Sequence, residues 1–470
     1  MTLPQRDDRA ASLESPSRTD DLAAESIAWL ERLGLQDLVF ESSRSDFERV
    51  RVSFESCMSF LHSHPSRVYG VHTGYGADVT TKKDPSDWRT TQRELLDYLC
   101  VGVGEALSPQ IVRRGLRIQA WKTAQGYSGV HPETFRSLCE LSNRSDLPTV
   151  PRHGSLGASG DLIPMAHAIA PLFKETLPRG PRDVIGLVNT NSMMSAFAVE
   201  LFSRARRIVT SAVETTALSA IALGGVTEPF ESRGLGINPA RPYPRRVGEE
   251  ILDAQAHMKR IVGWTGEGAI PIQFPLLQER YSIRCAPQVL GICRWNLESA
   301  GERIVSEALS VADNPVFTQG SFWHGGHFYA VGLSTAADLI ADSVARASEL
   351  LDRQCLLLVD SELSHGLPPN LVHPGAGHVK GIHQLISSLL QSVRAHGVPS
   401  RNLSFSCESN NQDVVPAAMA ALISLDQMIQ TAAEITRASR FIAQRAATLR
   451  ATGSVPKTLN LESWNAFESA

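Results

Sequence analysis

The densest chemistry in this sequence is a serine between small residues with a carboxylate after it, Gly157-Ala158-Ser159-Gly160-Asp161, closing the loop-like run His153-Gly154-Ser155-Leu156. Glycines let such a loop approach a ligand or a second backbone closely. The apolar residues after Asp161, Leu162-Ile163-Pro164-Met165-Ala166, predict a helix starting just beyond it, with Asp161 or its neighbours in the capping region. Read on residue types alone, the stretch admits three uses. A phosphate cradle lacks the lysine and hydroxyl of a P-loop, and Asp161 would repel the anion. A serine-hydrolase elbow, G-x-S-x-G, has Asp161 where its last glycine belongs. A tight turn capping a helix explains the glycines and nothing more.

Gly154-Ser155-Leu156-Gly157-Ala158-Ser159-Gly160-Asp161-Leu162 resembles the signature of the histidine, phenylalanine and tyrosine ammonia-lyases and the related aminomutases. The resemblance implies that Ala158, Ser159 and Gly160 cyclise into a methylidene-imidazolone, an electrophile made without an external cofactor. The Gly160 nitrogen would attack the Ala158 carbonyl, and the Ser159 side chain would lose water to become an exocyclic methylene. The residue types suit this chemistry. Glycine leaves the attacking nitrogen uncrowded, alanine leaves the carbonyl accessible, and serine carries the hydroxyl to be eliminated. Such an electrophile helps where ammonia leaves poorly and the β-proton of an amino acid is weakly acidic.

Further blocks resemble the same family in the same order, from about Val68 to Leu449. Tyr69-Gly70-Val71-His72-Thr73-Gly74-Tyr75-Gly76 is similar to its mobile loop, which implies that Tyr69 removes the β-proton. A free phenol titrates near pH ~10, so that role calls for a pKa lowered by positive charge or hydrogen bonds. Gln278-Glu279-Arg280-Tyr281-Ser282-Ile283-Arg284 is similar to the segment presenting a catalytic tyrosine, Tyr281, and a carboxylate-binding arginine, Arg284; a guanidinium grips a carboxylate with two parallel hydrogen bonds. The resemblance also implies that Asn314 binds the carboxylate, that Phe328 packs against the electrophile, and that Asn189 and Gln412 support the site. Glu408 would stand near the substrate amine. Tyr98-Leu99 falls on the ring pocket and resembles the phenylalanine and tyrosine types more than the histidine type.

The sequence departs from the family's pattern at Thr190 and Asn191, where glycine and threonine are usual, at His327, Tyr329 and Pro416, in a shorter stretch between Asp161 and Asn189, and in a shorter C-terminal end. Two other readings stand beside the lyase. An aminomutase shares every motif and returns the amine to the β-carbon; a non-catalytic helical scaffold would need no electrophile. Pairs such as His324 with His327 and His378 with His383 lack an HExxH or Cys-His spacing, so no metal is expected.

These residues need elements to hold them, and the pattern from Ser192 onward is helical. Leu422, Leu425, Ile429, Ala432, Ile435, Ala438, Ile442, Ala446 and Leu449 form one apolar stripe at three- and four-residue steps. Ala337, Ile340, Val344, Ala347 and Leu351 form another, and a third helical segment runs from Arg204 to Leu223. Several long helices predict a bundle. The expected organisation is mainly α and ammonia-lyase-like: a disordered segment at 1–22, a loop-bearing N-terminal domain at 23–188 carrying the triplet and the tyrosine loop, a helical bundle at 189–450, and a tail at 451–470.

The chain has 470 residues, 43% hydrophobic and 20% charged, with a net charge of -4 in mixed-sign segments. That balance gives no footprint for nucleic acid or an anionic membrane and points to a small-molecule partner. Seven scattered cysteines without a CxxC pair predict reduced thiols and a cytoplasmic setting. No signal peptide and no apolar run long enough for a bilayer are read. The expected assembly, implied by the resemblance, is a homotetramer with active sites shared among subunits and an aromatic amino acid as substrate.

Overall fold

The computed structural model describes residues 10–11, 22–64, 68–461 and 463. The segment expected to lack order, 1–22, lies outside the described residues except at 10, 11 and 22, and of the 451–470 tail residues 462 and 464–470 lie outside them. The architecture is mainly helical, as the periodicity predicts. Strands among the described residues form three two-stranded ladders. Val316–Thr318 and Ser321–Trp323 form a hairpin whose two connecting residues, Gln319 and Gly320, both have positive φ, as a primed two-residue turn demands. No helix among the described residues is long and apolar enough to cross a membrane.

The chain divides into two compact units, each assembled from three separate stretches: Met1–Leu201, Ala300–Asp338 and Pro399–Ile423 in the first, and Phe202–Ser299, Leu339–Val398 and Ser424–Ala470 in the second. The helix Pro109–Ala124 runs through the core of the first unit, buried from Ile111 onward. Its arginines are buried with it and are used as staples. Arg117 donates to the carbonyls of Leu33, Leu35 and Leu38, and Arg114 to those of Leu30 and Ala196. A guanidinium has five fixed donors and suits this task, closing off carbonyls that would otherwise be buried unpaired.

In the second unit Arg445 and Arg450 do the same work. Arg445 donates to the carbonyls of Leu371, Ala376, Gly377 and Leu459, and Arg450 to those of Ala222, Ile270 and Pro271. Both project from the helix Ala418–Thr452. Every residue of its predicted stripe, Leu422 through Leu449, is buried, as is the stripe from Ala337 to Leu351 on the helix Val331–Val359. Full burial of each leucine, isoleucine or valine among them contributes about 1.5–3 kcal/mol, so these stripes hold the long helices in place. The third predicted segment forms the helix Ser192–Ala222, which begins twelve residues before Arg204.

Candidate active site

The triplet sits at a junction that backbone geometry restricts. The helix Leu162–Ile169 begins directly after Asp161, as predicted, but Asp161 does not cap it through its side chain. Its Oδ2 accepts from the N–H groups of Met193 at 2.6 Å and Met194 at 2.9 Å, in the first turn of the helix Ser192–Ala222. The carboxylate thus satisfies two orphan donors at the positive end of a different helix, a partner no local sequence rule would name. Asp161 N donates to the Thr190 carbonyl. Gly160 has φ +70° and lies so close to Thr190 that a Cβ there would overlap the Thr190 carbonyl oxygen. Ser155 Oγ donates to the Gly160 carbonyl at 3.0 Å, and Ala330 N to that of Gly157 at 3.1 Å.

The first unit contains a cavity of about 640 Å³ that gathers most of the predicted residues. Ala158, Ser159, Gly160, Asn189, Asn314 and Phe328 line it. Tyr69, Tyr98, Leu99, Glu408 and Gln412 line it as well. Gln412 Nε2 joins two of these residues, donating to Ser159 Oγ and to Glu408 Oε2, each at 2.9 Å. Its backbone is tied to Cys407 by a pair of hydrogen bonds, and between them Glu408, Ser409 and Asn410 all adopt positive φ. Three successive non-glycine residues in that region hold a strained turn, of the sort that persists where surrounding contacts fix a functional side chain. Gly76 makes room for it: a Cβ there would overlap the Glu408 carboxylate.

Asn314 is anchored through its neighbours and its own amide. Its neighbour Asp313 pairs with the fully buried Arg182 at 2.8 Å, and Arg182 also donates to the carbonyls of Ser128 and Pro315. Asn314 Oδ1 accepts from Gly325 N at 3.0 Å, and its backbone carbonyl accepts from Asn189 Nδ2 at 2.9 Å. Asn189 is 4% exposed, and its Oδ1 has no hydrogen-bond partner among the described residues.

Tyr69 Oη accepts from Gly76 N at 2.8 Å, yet the expected lowering of its pKa is not what the surroundings produce. Burial pushes the phenol above its ordinary value and the charge of Glu408 adds to this, outweighing the Gly76 hydrogen bond. The described lining includes the carboxylates of Glu408 and Asp413 and neither lysine nor arginine. Tyr98, 52% exposed, is also pushed up by burial, then by Tyr69 and Glu408.

Tyr281 and Arg284 are the two predicted residues outside this lining. They begin and end a four-residue helix in the second unit, where the guanidinium stacks on the Tyr281 ring at 4.3 Å and Tyr281 is 70% exposed. Among the departures, Tyr329 lines the cavity, and His327 packs at a tilt against Trp323 with ring centroids 4.8 Å apart. Sequence reasoning passed over Tyr75, which lines the cavity, donates to the Gly70 carbonyl and accepts from Gln92 Nε2 at 2.6 Å. The signal was present, since Tyr75 stands in the same glycine loop as Tyr69.

The mainly helical architecture that brings Ser159 and Tyr69 to one cavity is shared with solved aminomutases and ammonia-lyases. Tyrosine aminomutase from Streptomyces globisporus shares the fold with a TM-score of 0.80 at 23% identity, over 92% of this chain and 87% of that one. A family model for aromatic amino acid lyases matches residues 26–177 and 174–467. Histidine ammonia-lyase of Vibrio cholerae is 34% identical over 66% of this chain and 63% of the relative, and that of Pseudoalteromonas atlantica 31% identical over 79% and 76%. The chain belongs to the aromatic amino acid lyase family, and with it to the carbon–nitrogen lyases.

Proposed function

We propose that this protein eliminates ammonia from an aromatic L-amino acid to give an arylacrylate. The observation that carries the reading is the single cavity shared by Tyr69, the Ala158-Ser159-Gly160 triplet and Glu408, joined through Gln412. The triplet fits a self-made methylidene-imidazolone. Gly160 tolerates no side chain against Thr190, Ala158 is small and buried, and the Ser159 hydroxyl faces the cavity beside Gln412. Once formed from these three residues, that group supplies an electrophile able to activate either the amine or the ring end of the substrate. Asn189, Phe328 and Gln412 would hold its surroundings.

The side chains divide the remaining work. Glu408 draws the substrate ammonium, Tyr69 takes a β-proton, and Asn314, whose amide nitrogen has no partner among the described residues, donates to the carboxylate. An α-carboxylate also needs a cation, and the described lining of the cavity offers none. Arg284, stacked on the exposed Tyr281, fits that need, and it is supplied from another copy in a homotetramer with shared sites. Exposed apolar side chains at Ile272, Phe274, Leu276 and Leu277 beside it in sequence support burial by assembly. The compartment consistent with seven free thiols is the cytoplasm.

The sequence relatives disfavour the preference for phenylalanine or tyrosine read from Tyr98 and Leu99. Both sequence relatives named above are histidine ammonia-lyases, and a Tyr98 hydroxyl can hydrogen-bond an imidazole nitrogen as well as fill space beside a phenyl ring. Ultraviolet assays with histidine first, then tyrosine and phenylalanine, test the reading: an arylacrylate absorbance is expected with one of them. A β-amino acid product in place of the arylacrylate would move the reading to an aminomutase, and no conversion of any of the three would contradict both.

A further inference from the structure

Next to the residues that brace the triplet lies a largely buried network of charged and polar side chains that the catalytic scheme does not use. Lys122, 5% exposed on the helix Pro109–Ala124, donates to Asn191 Oδ1 and, at 2.8 Å, to the Glu307 carbonyl. Asn191 Nδ2 donates to Glu307 Oε2 at 2.5 Å, and Glu307 Oε1 accepts from Gly332 N at 2.9 Å. The next residue, Ser192, donates through Oγ to Gln119 Oε1 at 2.8 Å, and Gln119 is bonded in turn to the Gly186 carbonyl. Residues 190 to 194 are thereby pinned, and these are the residues that hold the triplet: the Thr190 carbonyl accepts from Asp161 N and abuts Gly160, while the Met193 and Met194 amides bind the Asp161 carboxylate. Burial pushes the Lys122 ammonium toward its neutral form, opposed by the charges of Glu307 and Asp161. Ionic networks of this kind are often neutral or costly for stability compared with apolar side chains of similar volume. Stability alone is therefore a weak reason for a lysine here.

We propose that Lys122, through Asn191 and Glu307, is a positioning residue that holds the Thr190 peptide and the start of the Ser192–Ala222 helix in the arrangement that lets Ala158-Ser159-Gly160 cyclise. This rests on the reading of the triplet as a self-cyclising unit. In that step the Gly160 nitrogen bonds to the Ala158 carbonyl carbon. The Ala158 oxygen leaves as water with the Gly160 and Ser159 amide hydrogens, and the Ser159 hydroxyl leaves as a second water with its Cα hydrogen. The two atoms that join belong to a backbone braced against Thr190, so a shift in that peptide changes their approach, and misplacement of about 1 Å can cost ~10²-fold in rate.

The test compares full-length wild type with Lys122→Met, Lys122→Arg and Asn191→Leu. Intact mass follows, with time after translation, the fraction of newly synthesised chains lighter by two waters, and circular dichroism and melting are recorded on the purified samples. Lys122→Met and Asn191→Leu are expected to keep wild-type circular dichroism and to dehydrate ~10²-fold more slowly. Lys122→Arg, which restores a cation and donors, should recover most of the rate. Dehydration at the wild-type rate in folded Lys122→Met or Asn191→Leu overturns the inference. If Lys122→Met does not fold, Asn191→Leu decides alone, because it keeps the Lys122 bond to the Glu307 carbonyl. Loss of folding in both assigns the network to the core and also overturns it. A wild-type chain that never dehydrates defeats the underlying reading of the triplet instead.

Discussion

At the scale of single residues, Ser159, Tyr69 and Glu408 line one cavity and would carry the chemistry. Ser159→Ala removes the only hydroxyl the triplet can eliminate; the variant should fold, keep its full mass and lack turnover. Tyr69→Phe should still lose both waters but turn over ~10²–10⁴-fold more slowly, the usual contribution of a general base. A Tyr69→Phe enzyme within a few-fold of wild type would place proton abstraction elsewhere. The phenol acts as a base only when ionised, and its surroundings push it above its ordinary range. The ionised fraction therefore grows as pH rises toward the pKa, and kcat/KM should climb about tenfold per pH unit on the alkaline side of neutrality. Because the Glu408 charge is one cause of the upward shift, Glu408→Gln should move that rising limb to lower pH while KM increases; an unmoved limb would separate Glu408 from Tyr69.

At the scale of elements, what could be read from sequence was what local rules encode. The stripes at Leu422–Leu449 and Ala337–Leu351 are periodic, and both are buried as the period requires. The start of the helix after Asp161 was legible for the same reason, from the apolar residues that follow it. What Asp161 binds was not, because its partners, Met193 and Met194, lie more than thirty residues away. Lys122 reads as an ordinary helical lysine until the fold buries it against Asn191. The pairing of Arg182 with Asp313 spans 131 positions and was equally invisible, though it anchors the block that carries Asn314. Asp313→Ala leaves a buried guanidinium without its counter-charge and should cost about 3–5 kcal/mol in urea unfolding. A loss under about 1 kcal/mol would mean that Arg182 is satisfied by the Ser128 and Pro315 carbonyls alone.

For the whole molecule, Tyr281 and Arg284 are not among the described residues that line the cavity, and the proposed homotetramer would supply Arg284 to it from another copy. If sites are shared among subunits, Tyr69→Phe and Arg284→Ala chains, each nearly inactive alone, should regain turnover when co-expressed, since some sites then draw both intact residues. A mixture no more active than its parents would place each site within one chain. Beneath every one of these expectations stands the claim that Ala158-Ser159-Gly160 becomes an electrophile, and intact mass of the purified protein tests it most directly. A mass two waters below that of the sequence, absent in Ser159→Ala, is the predicted result; an unmodified wild-type mass would contradict the account.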